Sequence, residues 1–157
     1  MRTLLQARIH QPVQPVARER HAVDARLGRS DAHGYAARMK LFLENLPPSL
    51  VPQRETLARC LEAMNGALPL QAVYLFGSHT RGDARPDSDV DLCLVAEGAE
   101  QQLKAAQKYG DAMWDIWPCP SFSLIPIAPA RLAEKKASGD FFYATVLNEG
   151  VLLAAQD

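Results

Sequence analysis

The feature that most constrains the fold is a pair of short apolar runs separated by a polar segment. Residues 70–76 (LQAVYLF) are rich in β-branched and aromatic side chains and end abruptly at Gly77, which predicts a buried strand that runs into a turn. Residues 90–95 (VDLCLV) predict a second strand. Between them, residues 82–88 (GDARPDS) have the composition of a loop.

Two acidic residues open the second of these strands. Side chains two apart on a strand share a face, so Asp89 and Asp91 point the same way, while the apolar residues at 90, 92 and 94 can enter the core from the other face. Paired carboxylates repel each other unless a cation lies between them, and their hard oxygen atoms suit Mg²⁺ that carries a substrate phosphate. Asp89 and Asp91 are therefore the candidate catalytic residues and metal ligands.

The turn before this loop has the residues needed to hold phosphate. Gly77 has no β-carbon and lets a phosphate approach the backbone, and Ser78 offers a hydroxyl where free N–H groups attract anions. Arg81 and Arg85 can add positive charge near the same phosphates, although an arginine on a loop is often only solvated. These four residues form the candidate nucleotide-binding set.

An Asp-x-Asp pair alone is commonly just a strand end facing water, but here it follows an apolar strand, a Gly-Ser turn and a polar loop. The stretch GSHTRGDARPDSDVDL resembles the signature of the DNA polymerase β-like nucleotidyltransferase superfamily, and most of all its minimal nucleotidyltransferases. The resemblance implies an α/β (α+β) fold, with a small mixed β-sheet flanked by helices. It also implies Mg²⁺-dependent transfer of a nucleoside monophosphate to a hydroxyl, with Gly77 and Ser78 at the phosphates and Asp89 and Asp91 on metal.

One departure from the family pattern concerns a third carboxylate. The family usually supplies it from a neighbouring strand, and the corresponding run here is FSLI, in which Ser123 takes that place. A hydroxyl is a poorer metal ligand and cannot act as a general base at neutral pH. Activity could then be weak, absent, or dependent on another carboxylate, for which Asp115 is the candidate.

Three functions remain open at this point. The first is transfer of AMP from ATP to a protein hydroxyl, as the antitoxin that AMPylates a HEPN-type toxin, a role that some minimal nucleotidyltransferases have. The second is a small-molecule transferase of the antibiotic-modifying kind, which usually needs a substantial acceptor-binding domain. The third is a catalytically weak or inactive module that binds nucleotide or a protein, which Ser123 favours.

Composition narrows the setting of this chemistry. A chain of 157 residues with a net charge of −1 fits one domain, and predicts no bulk binding of nucleic acid and no membrane partner. The three cysteines are far apart and form no CxxC pair, which favours a reducing cytoplasm over a disulfide framework. A homo-oligomer is left open.

The remaining segments predict a simple order of elements. Residues 1–30 have no stable apolar period and are expected to be a flexible extension, with a single domain over residues 31–157. Helices are predicted at 35–46, at 52–65 with Gly66 as the cap, at 99–117, at 129–136 and at 140–147. A strand is predicted at 121–127, ending at Pro126 or lying at an edge, and residues 150–154 form a small strand or tail.

Overall fold

The structure, a computed structural model, describes residues 7–9 and 38–157. The strands are β1 (Ala7–Ile9), β2 (Met39–Leu41), β3 (Ala72–Phe76), β4 (Val90–Val95), β5 (Phe122–Ile127) and β6 (Val151–Gln156). The α-helices are α1 (Arg54–Ala67), α2 (Ser78–Arg81), α3 (Gln102–Ala112), α4 (Pro129–Ala137) and α5 (Phe141–Glu149). Two 3₁₀ helices, Leu43–Asn45 and Pro48–Gln53, precede α1.

The strands form one mixed sheet in the order β1-β5-β4-β3-β6-β2. Only β4 and β5 pair in parallel, and the other neighbours are antiparallel. The predicted α/β (α+β) class, a small mixed sheet flanked by helices, is confirmed. No helix in the described part of the chain is long and apolar enough to cross a membrane.

Both faces of the central strands are covered. On one face, Val90, Leu92 and Leu94 of β4 enter the main core with the apolar side of α1, as the alternation in the sequence predicts. On the other face, Cys93 and Val95 pack in a smaller cluster with residues of β5 and α5. On the face of β4 that carries Asp91, only the start of the strand can hold a reactive site, because Cys93 and Val95 further along the strand are buried.

The predicted helix over residues 35–46 is wrong for the part that the structure describes, which begins at residue 38. Met39–Leu41 is a strand that pairs with β6, and the Phe42 N–H donates to the Leu153 carbonyl over 2.8 Å. Met39, Leu41 and Leu43 pack against the core while Lys40 is exposed, so the same apolar residues also fit a period of two. Hydrogen bonds to β6 decide between the two periods.

The helix predicted at 52–65 exists as α1, but Gly66 does not cap it. Gly66 lies inside the helix, which ends at Ala67, and the C-cap is Leu68, whose N–H donates to the Met64 carbonyl over 3.1 Å. The Asn65 side chain then accepts from the Leu70 N–H over 2.8 Å and leads the chain into β3. A side-chain acceptor thus replaces the left-handed glycine that the sequence suggested.

The N-terminal prediction needs one correction. Ala7–Ile9, expected within a flexible extension, forms β1 and pairs with Phe122–Leu124 of β5. The remaining residues of the predicted extension lie outside the described residues. Among the described residues, the pairing of β1 with β5 reaches Leu124, and the Pro126 carbonyl accepts from Gln102 Nε2 over 2.8 Å. The prediction that the strand ends at Pro126 or lies at an edge is not confirmed, because β5 continues to Ile127 and lies between β1 and β4.

The other elements follow the prediction with shifted ends. The helix expected at 99–117 is the shorter α3, and Trp114 and Trp117 beyond it are about half exposed, at 51% and 56%. The two short helices after β5 are confirmed as α4 and α5. The small strand or tail expected at the C-terminus is β6, which lies between β3 and β2 inside the sheet.

Candidate active site

Gly77 connects β3 to α2 in a conformation that only glycine adopts readily. Its φ is +82° and its ψ is −151°. A β-carbon on Gly77 would also overlap the Asp91 carboxylate, because that carboxylate lies directly against the Gly77 backbone. The predicted turn and the predicted acidic strand therefore meet at this point, and the meeting requires a residue without a side chain.

The four-residue helix α2 is a tight turn held by the Gly77 carbonyl. That oxygen accepts from the backbone N–H groups of Thr80 and Arg81, at 3.1 and 3.2 Å, and from the Thr80 hydroxyl at 2.8 Å. Gly82, with φ of +79°, ends the turn in the left-handed region. Ser78 is the first residue of the turn and is partly buried.

Asp91 is the second residue of β4 and is half-buried. It pairs with Phe76 on one side and with Ser123 on the other. Burial raises the pKa of Asp91, and the charge of Asp89 raises it further; a hydrogen bond from Ser123 and the charges of His79 and Arg81 act in the opposite direction. The carboxylate thus carries its charge at a cost that a bound cation would remove.

Ser123 lies where the sequence places it, beside Asp91 on the neighbouring strand. It is only 1% exposed, and its hydroxyl donates to the Asp91 carboxylate. Asp115 is exposed in the turn after α3 and is not part of the sheet. Of the two positions weighed for a third acid, only Ser123 touches the acidic pair.

The two arginines of the candidate nucleotide-binding set differ in position. Arg81 ends α2, where its Nε lies 3.6 Å from Asp83 Oδ2, and its charge reaches Asp91 and lowers the pKa of that carboxyl. Arg85 lies in the following loop with an exposed side chain, and its backbone N–H donates to the Ser88 hydroxyl over 2.7 Å. Arg81 is therefore the arginine whose charge acts on the acidic pair.

His79 is the residue at this site that sequence reasoning missed. Its place just after the Gly-Ser turn predicts an exposed loop histidine, but the residue is only 7% exposed. Its Nδ1 lies 2.8 Å from the Ser49 hydroxyl, and its Nε2 has no hydrogen-bond partner among the described residues. The only sequence signal is its place in α2; the partner, Ser49, comes from a 3₁₀ helix thirty positions earlier in the chain.

The two carboxylates of the site match what Mg²⁺ requires of a protein. The described residues contain no group of three or more His, Cys, Asp or Glu side chains placed to hold a metal ion. Mg²⁺ commonly binds through only one or two carboxylates and completes its shell with water and substrate phosphates. Asp89 and Asp91 supply two such carboxylates. A bound cation would also offset the unfavourable energy of the half-buried charge on Asp91, so the pair fits a Mg²⁺ ion that binds together with its nucleotide.

A sheet that carries a glycine turn and an Asp-x-Asp pair at adjoining strand ends defines an α/β domain of the nucleotide-transferring class. The chain belongs to the nucleotidyltransferase domain family, which matches residues 55–138, more than half of the chain. It is thus a transferase by family, and the resemblance noted in the sequence is confirmed.

Comparison with solved structures finds a protein from Sulfolobus solfataricus that is assigned as a nucleotidyltransferase. It is 20% identical, with a TM-score of 0.44, and the match covers 77% of this chain and 88% of that one. No curated protein matches the chain.

Proposed function

We propose that this protein transfers AMP from ATP to a hydroxyl group in a Mg²⁺-dependent reaction. The observation that supports the proposal is the contact between Gly77 and the Asp91 carboxylate. It places a turn of the kind that binds phosphate next to a carboxylate that suits a metal ion. In the reaction the acceptor oxygen bonds to the α-phosphorus, the bond from that phosphorus to the bridging oxygen breaks, and pyrophosphate leaves with the electron pair.

The roles of the residues follow from their positions. Asp89 and Asp91 would hold Mg²⁺, and the metal would neutralise charge on the phosphates. The Gly77 backbone and the Ser78 hydroxyl would orient the terminal phosphates, with Arg81 adding positive charge. Arg85 has an exposed side chain in a loop and would act only if the loop closes on the nucleotide.

Ser123 sets the expected speed of the reaction. Because it donates to Asp91, its hydroxyl holds that carboxylate in place, but it cannot take the proton of the acceptor hydroxyl at neutral pH. General-base assistance is typically worth about 10²–10⁴-fold in rate. The proposal is therefore a slow transferase whose acceptor loses its proton to solvent.

A groove on the β5 face that carries Ser123 offers a place for the acceptor. It has a volume of about 970 Å³, and its floor includes Ile125 and Ile127, which share the β5 face with Ser123. Phe142 lines it and packs edge-on against Phe76 at a ring distance of 5.6 Å, next to the Gly77 turn. Phe142 thus contacts both the groove and the end of β3 that leads into the Gly77 turn.

Four of the five charged residues that line this groove form two ion pairs, and the fifth is the exposed Glu100. Arg131 contacts Glu134 at 2.8 Å, and Lys135 contacts Asp140 at 3.4 Å. A polycationic antibiotic would require several unpaired acidic groups, whereas an apolar floor with only Glu100 outside the two ion pairs suits a largely uncharged segment of a protein. This favours a protein acceptor, such as a HEPN-type toxin, over a small cationic molecule.

The test is transfer of label from ATP in lysate of the native host. Label in the α-phosphate should appear on one protein band in the presence of Mg²⁺, and label in the γ-phosphate should not. The variant with both Asp89→Asn and Asp91→Asn is the matched control and should give no band. Label from the γ-phosphate alone would mean phosphoryl transfer and would contradict the proposal.

The second candidate, a binding module without catalysis, is favoured by Ser123 alone. It predicts Mg²⁺–ATP binding by calorimetry, with no transfer of the α-phosphate to any protein or small molecule after long incubation. A neighbouring gene for a small helical HEPN protein would supply the acceptor to use in this comparison.

A further inference from the structure

Two thiols meet on the side of the core that the proposed function does not use. Cys60 lies on α1, and Cys119 lies in the segment that leads into β5. Their sulfur atoms are 3.6 Å apart although the residues are 59 positions apart in the sequence, and both cysteines are free. The fold therefore creates a close pair of thiols that the sequence spacing gave no reason to expect.

The two thiols have different surroundings. Cys60 is fully buried, and the hydrogen bond to Cys119 together with burial raises the pKa of the Cys60 thiol well above its usual range. Cys119 is partly exposed, and the hydrogen bond from Cys60 lowers the pKa of the Cys119 thiol. Of the two thiols, Cys119 therefore ionises more readily, and it belongs to the partly exposed residue with the Cys60 thiol held against it.

The third cysteine has the opposite properties. Cys93 lies in the middle of β4 with no exposed surface, and burial raises the pKa of its thiol to about 12. It takes part in the smaller apolar cluster with Val95 and Ile127. Cys93 should therefore not react in the folded protein, and it serves as an internal control.

We propose that Cys60 and Cys119 form a modification site, at which small-molecule disulfides such as oxidised glutathione convert the thiol pair to an intramolecular disulfide. The Cys119 thiolate attacks one sulfur of the reagent, forms a mixed disulfide and releases one reduced glutathione. The Cys60 thiol then loses its proton, attacks the Cys119 sulfur and releases the second reduced glutathione. Two protein thiols are oxidised by two electrons, and one reagent disulfide is reduced.

The bond would span the part of the chain that carries the proposed site. It closes a loop that contains the Gly77 turn and the acidic pair. Just beyond Cys119, the Ser121 carbonyl accepts from the Val90 N–H over 2.8 Å at the start of β4. Oxidation would thus tie α1 to the point where β4 and β5 join, and the loss of freedom in the unfolded chain should raise Tm by roughly 5–15 °C.

The experiment treats the native full-length protein with oxidised glutathione and follows it by intact mass and by peptide mapping without reduction. The wild type should lose two hydrogen atoms in mass, show a Cys60–Cys119 cross-linked peptide and keep one free thiol. Cys60→Ala should stop at a stable adduct of one glutathionyl group on Cys119, because no second thiol is present to displace it. Cys119→Ala should not react.

Two results would overturn the proposal. One is a wild-type protein that retains the glutathionyl group, because it would show that Cys60 cannot reach the mixed disulfide. The other is a native protein that keeps three free thiols under conditions in which the unfolded protein reacts. The rise in Tm must also disappear when the oxidised sample is reduced, and a rise that survives reduction would count against the bond.

Discussion

Ser123 lies directly beside Asp91 on the parallel neighbouring strand and donates its hydroxyl hydrogen to the Asp91 carboxylate. Each is the second residue of its strand, and the Gly77 backbone also contacts the Asp91 carboxylate. The relationship explains how one carboxylate can be half-buried and still keep its orientation. It also makes Ser123 the position from which the chemistry can be changed most directly.

The first prediction concerns Ser123→Asp. A carboxylate at this position would complete a three-acid site, so transfer to the true acceptor should become faster, by up to about 10²–10⁴-fold. Without Mg²⁺ the variant should melt at a lower temperature, because a second buried carboxylate then faces Asp91. Transfer assays and thermal melts with and without Mg²⁺ check both effects, with Ser123→Ala as the control. Fast wild-type turnover that Ser123→Asp leaves unchanged would contradict this prediction.

The second prediction concerns Asp91→Asn and pH. Because the pKa of Asp91 is raised in the folded state, its protonated form favours folding, and that contribution is lost as the pH rises from the ordinary value of 3.8 through the folded pKa. At neutral pH without Mg²⁺, Asp91→Asn should therefore melt above the wild type, and the gap should close toward acid pH. The variant should also lose Mg²⁺-dependent ATP binding in calorimetry. Equal Mg²⁺–ATP affinity in the two proteins would show that the metal site is elsewhere.

The third prediction compares two glycine substitutions. Gly77→Ala places a β-carbon against the Asp91 carboxylate, at a backbone conformation that residues other than glycine rarely adopt. The substitution should lower the free energy of unfolding by about 1–3 kcal/mol or more. Gly66→Ala adds a methyl group inside α1 with no atom within 4 Å, and should stabilise by about 0.5–1 kcal/mol. Denaturant unfolding measures both changes. A neutral Gly77→Ala would mean that the close contact does not exist in solution.

The fourth prediction tests the support of α2 by Ser49. Ser49→Ala removes the hydroxyl that hydrogen-bonds to His79 Nδ1, so the buried imidazole loses its one described partner. The free energy of unfolding should fall by about 1 kcal/mol or more. Ser138→Ala is the matched control: its hydroxyl bonds to the Lys135 carbonyl on an exposed helix end, and its loss should stay within about 0.5 kcal/mol. Urea unfolding of the two variants gives the comparison. Equal effects would show that the buried bond to His79 does not support the turn.

The fifth prediction concerns Asp140, the N-cap of α5. The hydrogen bond from the Tyr143 backbone N–H, followed by the contact with Lys135, lowers the pKa of Asp140. Its contribution to stability is therefore present above the ordinary value of 3.8 and is lost as the pH falls through the lower, folded pKa. Asp140→Asn keeps a capping oxygen without the charge, so it should melt below the wild type at pH 7 and match it in strong acid. A difference in Tm that does not change with pH would rule out the charge as its cause.

Several features of this protein could be predicted from the sequence because they depend on neighbouring residues. The alternation in VDLCLV predicts which side of β4 enters the core, and the core contains Val90, Leu92 and Leu94 as expected. Gly77 ends β3 as predicted, and the short helices α4 and α5 are bounded by Pro129 and by the Asp140 cap. These outcomes follow from local periodicity, turn chemistry and capping, which a short window of sequence contains.

Other features were decided only by tertiary structure, because their partners are distant in the chain. Residues 39–41 fit a helix or a strand equally well, and pairing with β6 over one hundred positions away makes them a strand. His79 has its hydrogen-bond partner in Ser49, and the meeting of Cys60 with Cys119 depends on how α1 packs beside the segment that leads into β5. Local sequence sets the preference of each segment, but the free energy of long-range pairing and burial selects among the preferences that remain.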